Sequence, residues 1–247
     1  MTAIGAEWAR DGRPVLVIGA GALGCSVLPL LAAADVPILL LDDDVVSLSN
    51  LQRQLLYRTA DVGRPKVEVA AERLRAIHPG VRIATRAERL TTGNARALVG
   101  GARLVLDGSD NFPTRFLAND ACVLEGTPLV HGAILRFTGQ VLAVRPGATG
   151  CYRCLFEAPP PEGSVPSCAE AGVLGALCGM VGSWMVEAAL RILAGAEPPA
   201  GLLVHDALAG RSRRVALPRD ARCAVCGDAP TVRALDPVHY LAPSCAA

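Results

Sequence analysis

Three glycines constrain the fold of this chain more than any other feature. Gly19, Gly21 and Gly24 stand in the run Gly-Ala-Gly-Ala-Leu-Gly. The run directly follows the apolar stretch Val15 to Ile18 and leads into an apolar segment from Cys25 to Ala34. The order reads as strand, tight turn, helix. Gly19 permits the turn, Gly21 lets a phosphate approach the backbone, and Gly24 lets the helix pack on the strand. The unpaired N–H groups at the start of that helix then face an anion. A second strand, Pro37 to Leu41, ends at Asp42, where a carboxylate accepts hydrogen bonds from ribose hydroxyls. Together these residues read as a site for a ribose-bearing nucleotide. An unliganded glycine-rich turn would not need Asp42 in that place.

The rest of the chain continues the alternation. Lys66 to Ile77 reads as a helix stopped by His78-Pro79-Gly80, Val81 to Ala84 as a strand, and Leu104 to Leu106 as a strand ending at Asp107-Gly108-Ser109-Asp110. Arg115 to Leu124 reads as a helix and Leu129 to His131 as a strand. Such alternation defines an α/β protein with a Rossmann-like doubly wound, mostly parallel sheet. From Gly139 the pattern changes. Gln140 to Val144 reads as a strand, and Leu202 to Asp206 with Arg213 to Leu217 as an antiparallel pair. Between them lie a Pro-rich loop, Ala158 to Pro166, expected to be mobile, and an apolar helical region, Val173 to Leu193, interrupted by Gly175, Gly179 and Gly182. One domain over 1–247 is expected, with a nucleotide-binding half at about 15–138 and a second half at about 139–232.

Hydrophobic residues make up 51% of the chain, and the mean hydropathy is +0.37. The longest apolar stretch, Val27 to Leu41, is broken by Pro29, Asp35 and Pro37. No uninterrupted run reaches the roughly 18–20 residues that a spanning helix needs. Strands buried on both faces explain the composition better than a membrane. The first residues hold no basic stretch followed by an apolar core, so the cytoplasm is the expected location. A net charge of +1 with dispersed Lys and Arg argues against a nucleic-acid partner.

An NAD-dependent oxidoreductase would use the glycine loop and Asp42 but needs no cations around phosphates. This chain supplies them. Ser49-Asn50-Leu51-Gln52-Arg53-Gln54 follows the acidic run Asp42-Asp43-Asp44 closely. Arg53 can clamp phosphate oxygens through its planar fork, and Asn50 can orient a phosphate or a metal-bound water. Lys66 sits at a helix start and can place a point charge on a phosphate. Asp110, with Asn111 beside it, can hold Mg²⁺ at a strand end. Each has a plainer alternative: Arg53 and Lys66 could be solvated, and Asp110 could cap the following helix. Their joint placement at strand ends favours nucleotidyl transfer, in which charge develops on phosphate oxygens as pyrophosphate leaves.

Of nine cysteines, four form two Cys-x-x-Cys pairs, Cys151 with Cys154 and Cys223 with Cys226. In a reducing compartment such pairs indicate metal rather than disulfides, and the set fits a closed, structural tetrahedral Zn²⁺ site. Cys25, Cys122 and Cys178 fall within apolar helices and are expected in the core, while Cys245 reads as an exposed thiol. His131 and His205 lie in or beside apolar strands and are given no catalytic role.

At GAGALGC, the run from Asp42 to Gln54, Gly63-Arg64-Pro65-Lys66, Gly108 to Asn111 and both cysteine pairs, the sequence resembles the MoeB/ThiF/HesA family of adenylyltransferases, related to ubiquitin-activating enzymes. The resemblance runs from about Val15 to Val232. It implies that Gly21, Asp42, Ser49, Asn50, Leu51, Gln52, Arg53, Lys66, Asp110 and Asn111 line an ATP site. It implies zinc at the cysteine pairs, a homodimer, and a carrier-binding C-terminal half. The implied reaction is adenylation of the Gly-Gly C-terminus of a small ubiquitin-like sulfur-carrier protein. The sulfur would come from a sulfurtransferase or cysteine desulfurase and serve molybdopterin, thiamine or cysteine synthesis, or tRNA thiolation.

By the same resemblance, Cys168 sits where some relatives carry a cysteine that bonds covalently to the carrier; a buried, inert thiol is the even alternative. Relatives carry a longer N-terminal helix with an Arg-Tyr-x-Arg-Gln segment whose first Arg reaches the partner's ATP. Here only Met1 to Pro14 precede the first strand, and Arg10 and Arg13 do not match its spacing. Retained fold without turnover, in a non-catalytic ATP-binding homologue, is the expectation that this departure would support. No rhodanese-like domain is expected after Cys226.

Overall fold

The structure is a computed structural model that describes residues 12–161, 163–164, 172–198 and 200–241. Its centre is an eight-stranded sheet. β1 (Val15–Ile18) lies between β2 (Ile38–Leu41) and β4 (Leu104–Asp107), with β3 (Ile83–Arg86) outside β2. β5 (Leu129–Leu135) follows β4, and this first group is parallel throughout. β6 (Thr138–Val144), β7 (Leu202–Asp206) and β8 (Arg211–Val215) then extend the sheet antiparallel. The doubly wound sheet with antiparallel C-terminal strands is thus present as expected.

The strands are short and apolar because both faces are covered. In β1, Val15 and Val17 enter one core and Leu16 and Ile18 the other, and all four are buried. One face carries α1 (Ala22–Ala33) and α2 (Lys66–Ile77). The opposite face carries α3 (Ala95–Gly100), α4 (Phe112–Glu125) and the short α5 (Tyr152–Leu155). The last helix, α6 (Gly175–Leu193), returns to the first face and packs on α1, β5 and β6.

Helix α6 corrects one expectation. Gly175, Gly179 and Gly182 do not interrupt it; it runs unbroken for 19 residues. A Cβ on Gly182 would stand 2.5 Å from Ser26 Cβ on α1, so the glycine sets how closely the two helices approach. By length and composition alone, α6 is long and apolar enough to cross a membrane. Its Leu177, Val181, Met185 and Ala189 are buried against the sheet. Smaller differences lie at element ends: α1 and α4 each begin three residues earlier than expected, at Ala22 and Phe112. β8 is shifted to Arg211–Val215, and α3 was not anticipated.

The parallel part turns outward from β1 in one direction through β2 and β3 and in the other through β4 and β5. At such a switch point the connecting loops diverge and leave a crevice at the C-terminal strand ends. The first loop here is the glycine loop, between β1 and α1.

Candidate active site

A cleft of about 530 Å³ opens at that switch point. Its floor is the glycine loop. Gly19 has φ +94°, and a Cβ there would press on Gly108 O at 3.2 Å, so the turn needs glycine twice over. Gly24 lies beneath: a Cβ would come within 2.1 Å of Gly19 O. Gly24 therefore packs the helix onto the strand and does not line the cleft, whereas Gly19 and Gly21 do.

Asp42 closes one wall. Its Oδ2 accepts from Ala20 N at 2.6 Å and its Oδ1 from Asp44 N at 2.8 Å, which fixes the carboxylate at the cleft edge. Burial raises its pKa above the ordinary carboxylate value, and these backbone donors work against that rise. Asp43 is tied to Arg89 at 3.0 Å. Asp44 holds Lys66 Nζ at 2.7 Å, with the lysine side chain only 4% exposed. The three carboxylates lie within 4.8 Å of one another but are all committed to protein donors.

Arg53 lines the opposite side. Its Nη2 donates to Asn50 Oδ1 at 2.7 Å and its Nη1 to Ser49 O at 3.3 Å. Asn50 thus aims the guanidinium. Ser49, Asn50, Arg53, Lys66, Asp110 and Asn111 all line the cleft, while Leu51 and Gln52 do not. Asn111 caps α4, accepting from Thr114 N at 2.9 Å, so Asp110 is not needed as the cap. Asp110 stays exposed at the cleft mouth.

Several lining residues were not singled out from the sequence: Gln54, Arg89, Ser109 and Arg115. Gln54 is 3% exposed, and its Oε1 has no hydrogen-bond partner; buried Ser109 Oγ has none either. Buried polar atoms are rarely left unpaired. Gln54 Oε1 can only accept and Ser109 Oγ can also donate, so the two fit a polar ligand that carries both donors and acceptors. The signal in the sequence was the last residue of Leu51-Gln52-Arg53-Gln54, which stands next to the noted arginine.

His131 and His205 are both satisfied groups. His205 Nδ1 meets Ser212 Oγ at 2.8 Å beside the Trp184 ring. His131 Nδ1 meets Asp107 Oδ2 at 2.8 Å in the interior, behind the cleft. Burial lowers the imidazole's pKa and leaves it neutral. Burial alone would raise Asp107, but the hydrogen bonds from His131 and Ser109 hold it below the usual range. A neutral imidazole therefore donates Nδ1–H to an ionised carboxylate.

The four paired cysteines converge below the sheet's second core. Cys151 and Cys223 sulfurs are 3.6 Å apart, Cys154 and Cys226 3.4 Å, and Cys151 and Cys154 4.0 Å. All four are free thiols. Four thiolates about 2.3 Å from a tetrahedral zinc stand about 3.8 Å from one another. The donor set and its spacing thus fit zinc. Asp220 N adds a donor to Cys154 Sγ at 3.4 Å. Cys25, Cys122 and Cys178 are buried as expected, and burial pushes the Cys25 thiol up to about 12. Cys168 and Cys245, Arg10 and part of the Pro-rich stretch lie outside the described residues.

A doubly wound sheet whose switch point carries a glycine loop, a held aspartate and two held cations has the architecture of a nucleotide-binding α/β protein. The chain belongs to the ThiF family, whose model matches residues 10–225. It is 52% identical to the sulfur carrier protein adenylyltransferase of Thermus thermophilus, over 90% of this chain and 84% of that one. It is 43% identical to the SAMP-activating enzyme E1 of Haloferax volcanii, over 94% of this chain and 86% of that one. The adenylyltransferase and sulfurtransferase MOCS3 of Sus scrofa is 46% identical, over 90% of this chain, which spans 50% of that longer protein. Among solved structures, Escherichia coli MccB with ATP shares the fold at a TM-score of 0.78 and 18% identity, over 90% of this chain and 69% of that one.

Proposed function

We propose that the chain is an adenylyltransferase that activates the C-terminal carboxylate of a small ubiquitin-like sulfur-carrier protein with ATP. The observation that carries this reading is the pairing of a nucleotide cleft with two pre-aimed cations, Arg53 on Asn50 and Lys66 on Asp44. The two most complete relatives named above carry out carrier or SAMP activation by name.

In the proposed reaction the ribose lies on Asp42 and the phosphates cross the glycine loop between Arg53 and Lys66. The carrier's terminal carboxylate is ionised near neutral pH and needs no general base. One of its oxygens attacks the α-phosphorus, the bond from that phosphorus to the bridging oxygen breaks, and pyrophosphate leaves. Charge growing on the departing oxygens meets cations that need no rearrangement, which lowers the barrier. Asp110 is the carboxylate with room for Mg²⁺, which would offset phosphate charge. A sulfur nucleophile, either the Cys168 thiolate or sulfur delivered by a sulfurtransferase or cysteine desulfurase, then attacks the carbonyl carbon of the acyl-adenylate; a carbon–sulfur bond forms, the bond from that carbon to the adenylate oxygen breaks, and AMP leaves.

We place a structural zinc at Cys151, Cys154, Cys223 and Cys226, where it would tie α5 to the segment before residue 232. We also propose a cytoplasmic homodimer. Val45, Leu48, Leu55 and Val62 are exposed within one segment beside the cleft, which suits an interface. A second reading, binding without turnover, predicts ATP binding with no exchange. The test is exchange of labelled pyrophosphate into ATP with a carrier ending in Gly-Gly. Exchange should require the carrier and fall about 100-fold or more in Asp110→Ala and in Arg53→Ala. Carrier-independent exchange, or full exchange in both variants, would remove the proposal.

A further inference from the structure

We infer that His131 is a positioning residue for the nucleotide cleft: through Asp107 it fixes the turn that carries Asp110. Asp107 is the last residue of β4 and is fully buried. Its two oxygens serve different elements. Oδ2 takes the His131 imidazole from β5 at 2.8 Å, and Oδ1 takes Ser109 N at 2.9 Å. The turn is then held from three further directions. Gly108 N donates to Ile18 O at 2.9 Å, which ties it to the strand that enters the glycine loop. Ser109 O accepts from Arg115 Nε at 3.3 Å and Nη2 at 3.1 Å. Asn111 caps α4.

The imidazole itself is held from behind. The Tyr152 ring stands edge-on to it at 5.1 Å, and Tyr152 N donates to Asn119 Oδ1 at 2.8 Å. Tyr152 follows Cys151, and Arg153 next to it is locked onto Asp120 by three contacts of 2.8–3.0 Å. A continuous buried wall thus runs from the cysteine cluster through Tyr152, His131 and Asp107 to the cleft.

The imidazole matters because Asp107 has another donor at hand. Ser109 Oγ, on the same residue as the backbone N–H from which Asp107 already accepts, makes no hydrogen bond of full geometry, yet it lies near enough to Asp107 to help hold its negative charge. Without the His131 donor, the carboxylate is free to rotate toward Ser109, and Ser109 N and O move with it. Asp110 follows, and the cleft loses the position of the group proposed to hold Mg²⁺. This inference rests on the nucleotide cleft of the proposed function, not on the carrier.

The test compares Mg·ATP dissociation constants by calorimetry for the full chain, His131→Phe and His131→Asn, with cooperative melting checked for each. Phe keeps the ring volume beside Tyr152 but has no donor; the Asn amide sits where Nδ1 was. His131→Phe should weaken Mg·ATP about tenfold or more, and His131→Asn should stay within about threefold of wild type. ATP in excess chelator should change less than about threefold in either, because the fault lies at Asp110. If His131→Phe does not fold, His131→Leu takes its place under the same thresholds. Unchanged Mg·ATP binding in the apolar variant, or equal loss in His131→Asn, overturns the inference. Wild-type protein that binds Mg·ATP but shows no pyrophosphate exchange would sink the adenylation reading and leave this comparison standing.

Discussion

Two cations of the cleft, Lys66 and Arg53, are held by neighbours before a ligand arrives. Lys66 rests on Asp44 and Arg53 on Asn50 and Ser49, so little side-chain entropy remains to be lost on binding. A second charged group braces the segment between them. Asp61 accepts from Arg58 N at 2.9 Å and pairs with Arg73 at 2.9 Å, and the Arg73 hydrogen bond holds its carboxyl below the usual range. The sign follows from that depression. The folded state binds the proton less readily than the unfolded chain, so the contribution is full above about pH 4 and fades as pH falls through the lower, folded value. The melting temperature of wild type should therefore drop more steeply between about pH 5 and pH 3 than that of Asp61→Asn. Parallel melting curves across that range would contradict the assignment. Gly19, Gly21, Asp42, Arg53 and Lys66 could be picked from the sequence because their motifs are local. The holders that lie on other elements could not. The pairs Asp44–Lys66 and Asp107–His131 join separate elements, and Gln54 reveals itself only by a buried oxygen with no partner.

At the scale of elements, packing overrides local propensity. Three glycines in α6 weaken an isolated helix by roughly 1 kcal/mol each, yet the helix is unbroken. Burial of Leu177, Val181 and Met185 against β5, β6 and α1 more than offsets that cost. Gly182 is there for approach: its place faces Ser26 on α1. Gly182→Leu should raise helix propensity and still destabilise the protein by about 1–3 kcal/mol in urea unfolding, because the side chain cannot fit. A neutral or stabilising result would show that the two helices are not so close. Sequence periodicity reads propensity well and close approach poorly, which is why the helix looked interrupted. The same limit hid α3, a six-residue helix too short to show a period. The cysteine pairs were legible because ligand spacing within each pair is local, although only the fold brings residues 151–154 and 223–226 to one point.

Over the whole molecule, one sheet has two parts. Strand order β3-β2-β1-β4-β5 makes the crevice, and β6, β7 and β8 continue the sheet away from it. Ala133 and Ile134 of β5 and Val173 before α6 line the cleft on that far side, which is the side from which the proposed carrier tail would enter. The switch-point geometry was readable from the order of strands and helices, since few topologies satisfy the handedness of parallel crossovers. The intact mass of a Gly-Gly-ended carrier after incubation with this protein and Mg·ATP tests the proposed chemistry most directly. The expected result is a carrier heavier by one adenylate, absent when its last glycine is removed. A carrier of unchanged mass, in a sample where the protein demonstrably holds ATP, would contradict it.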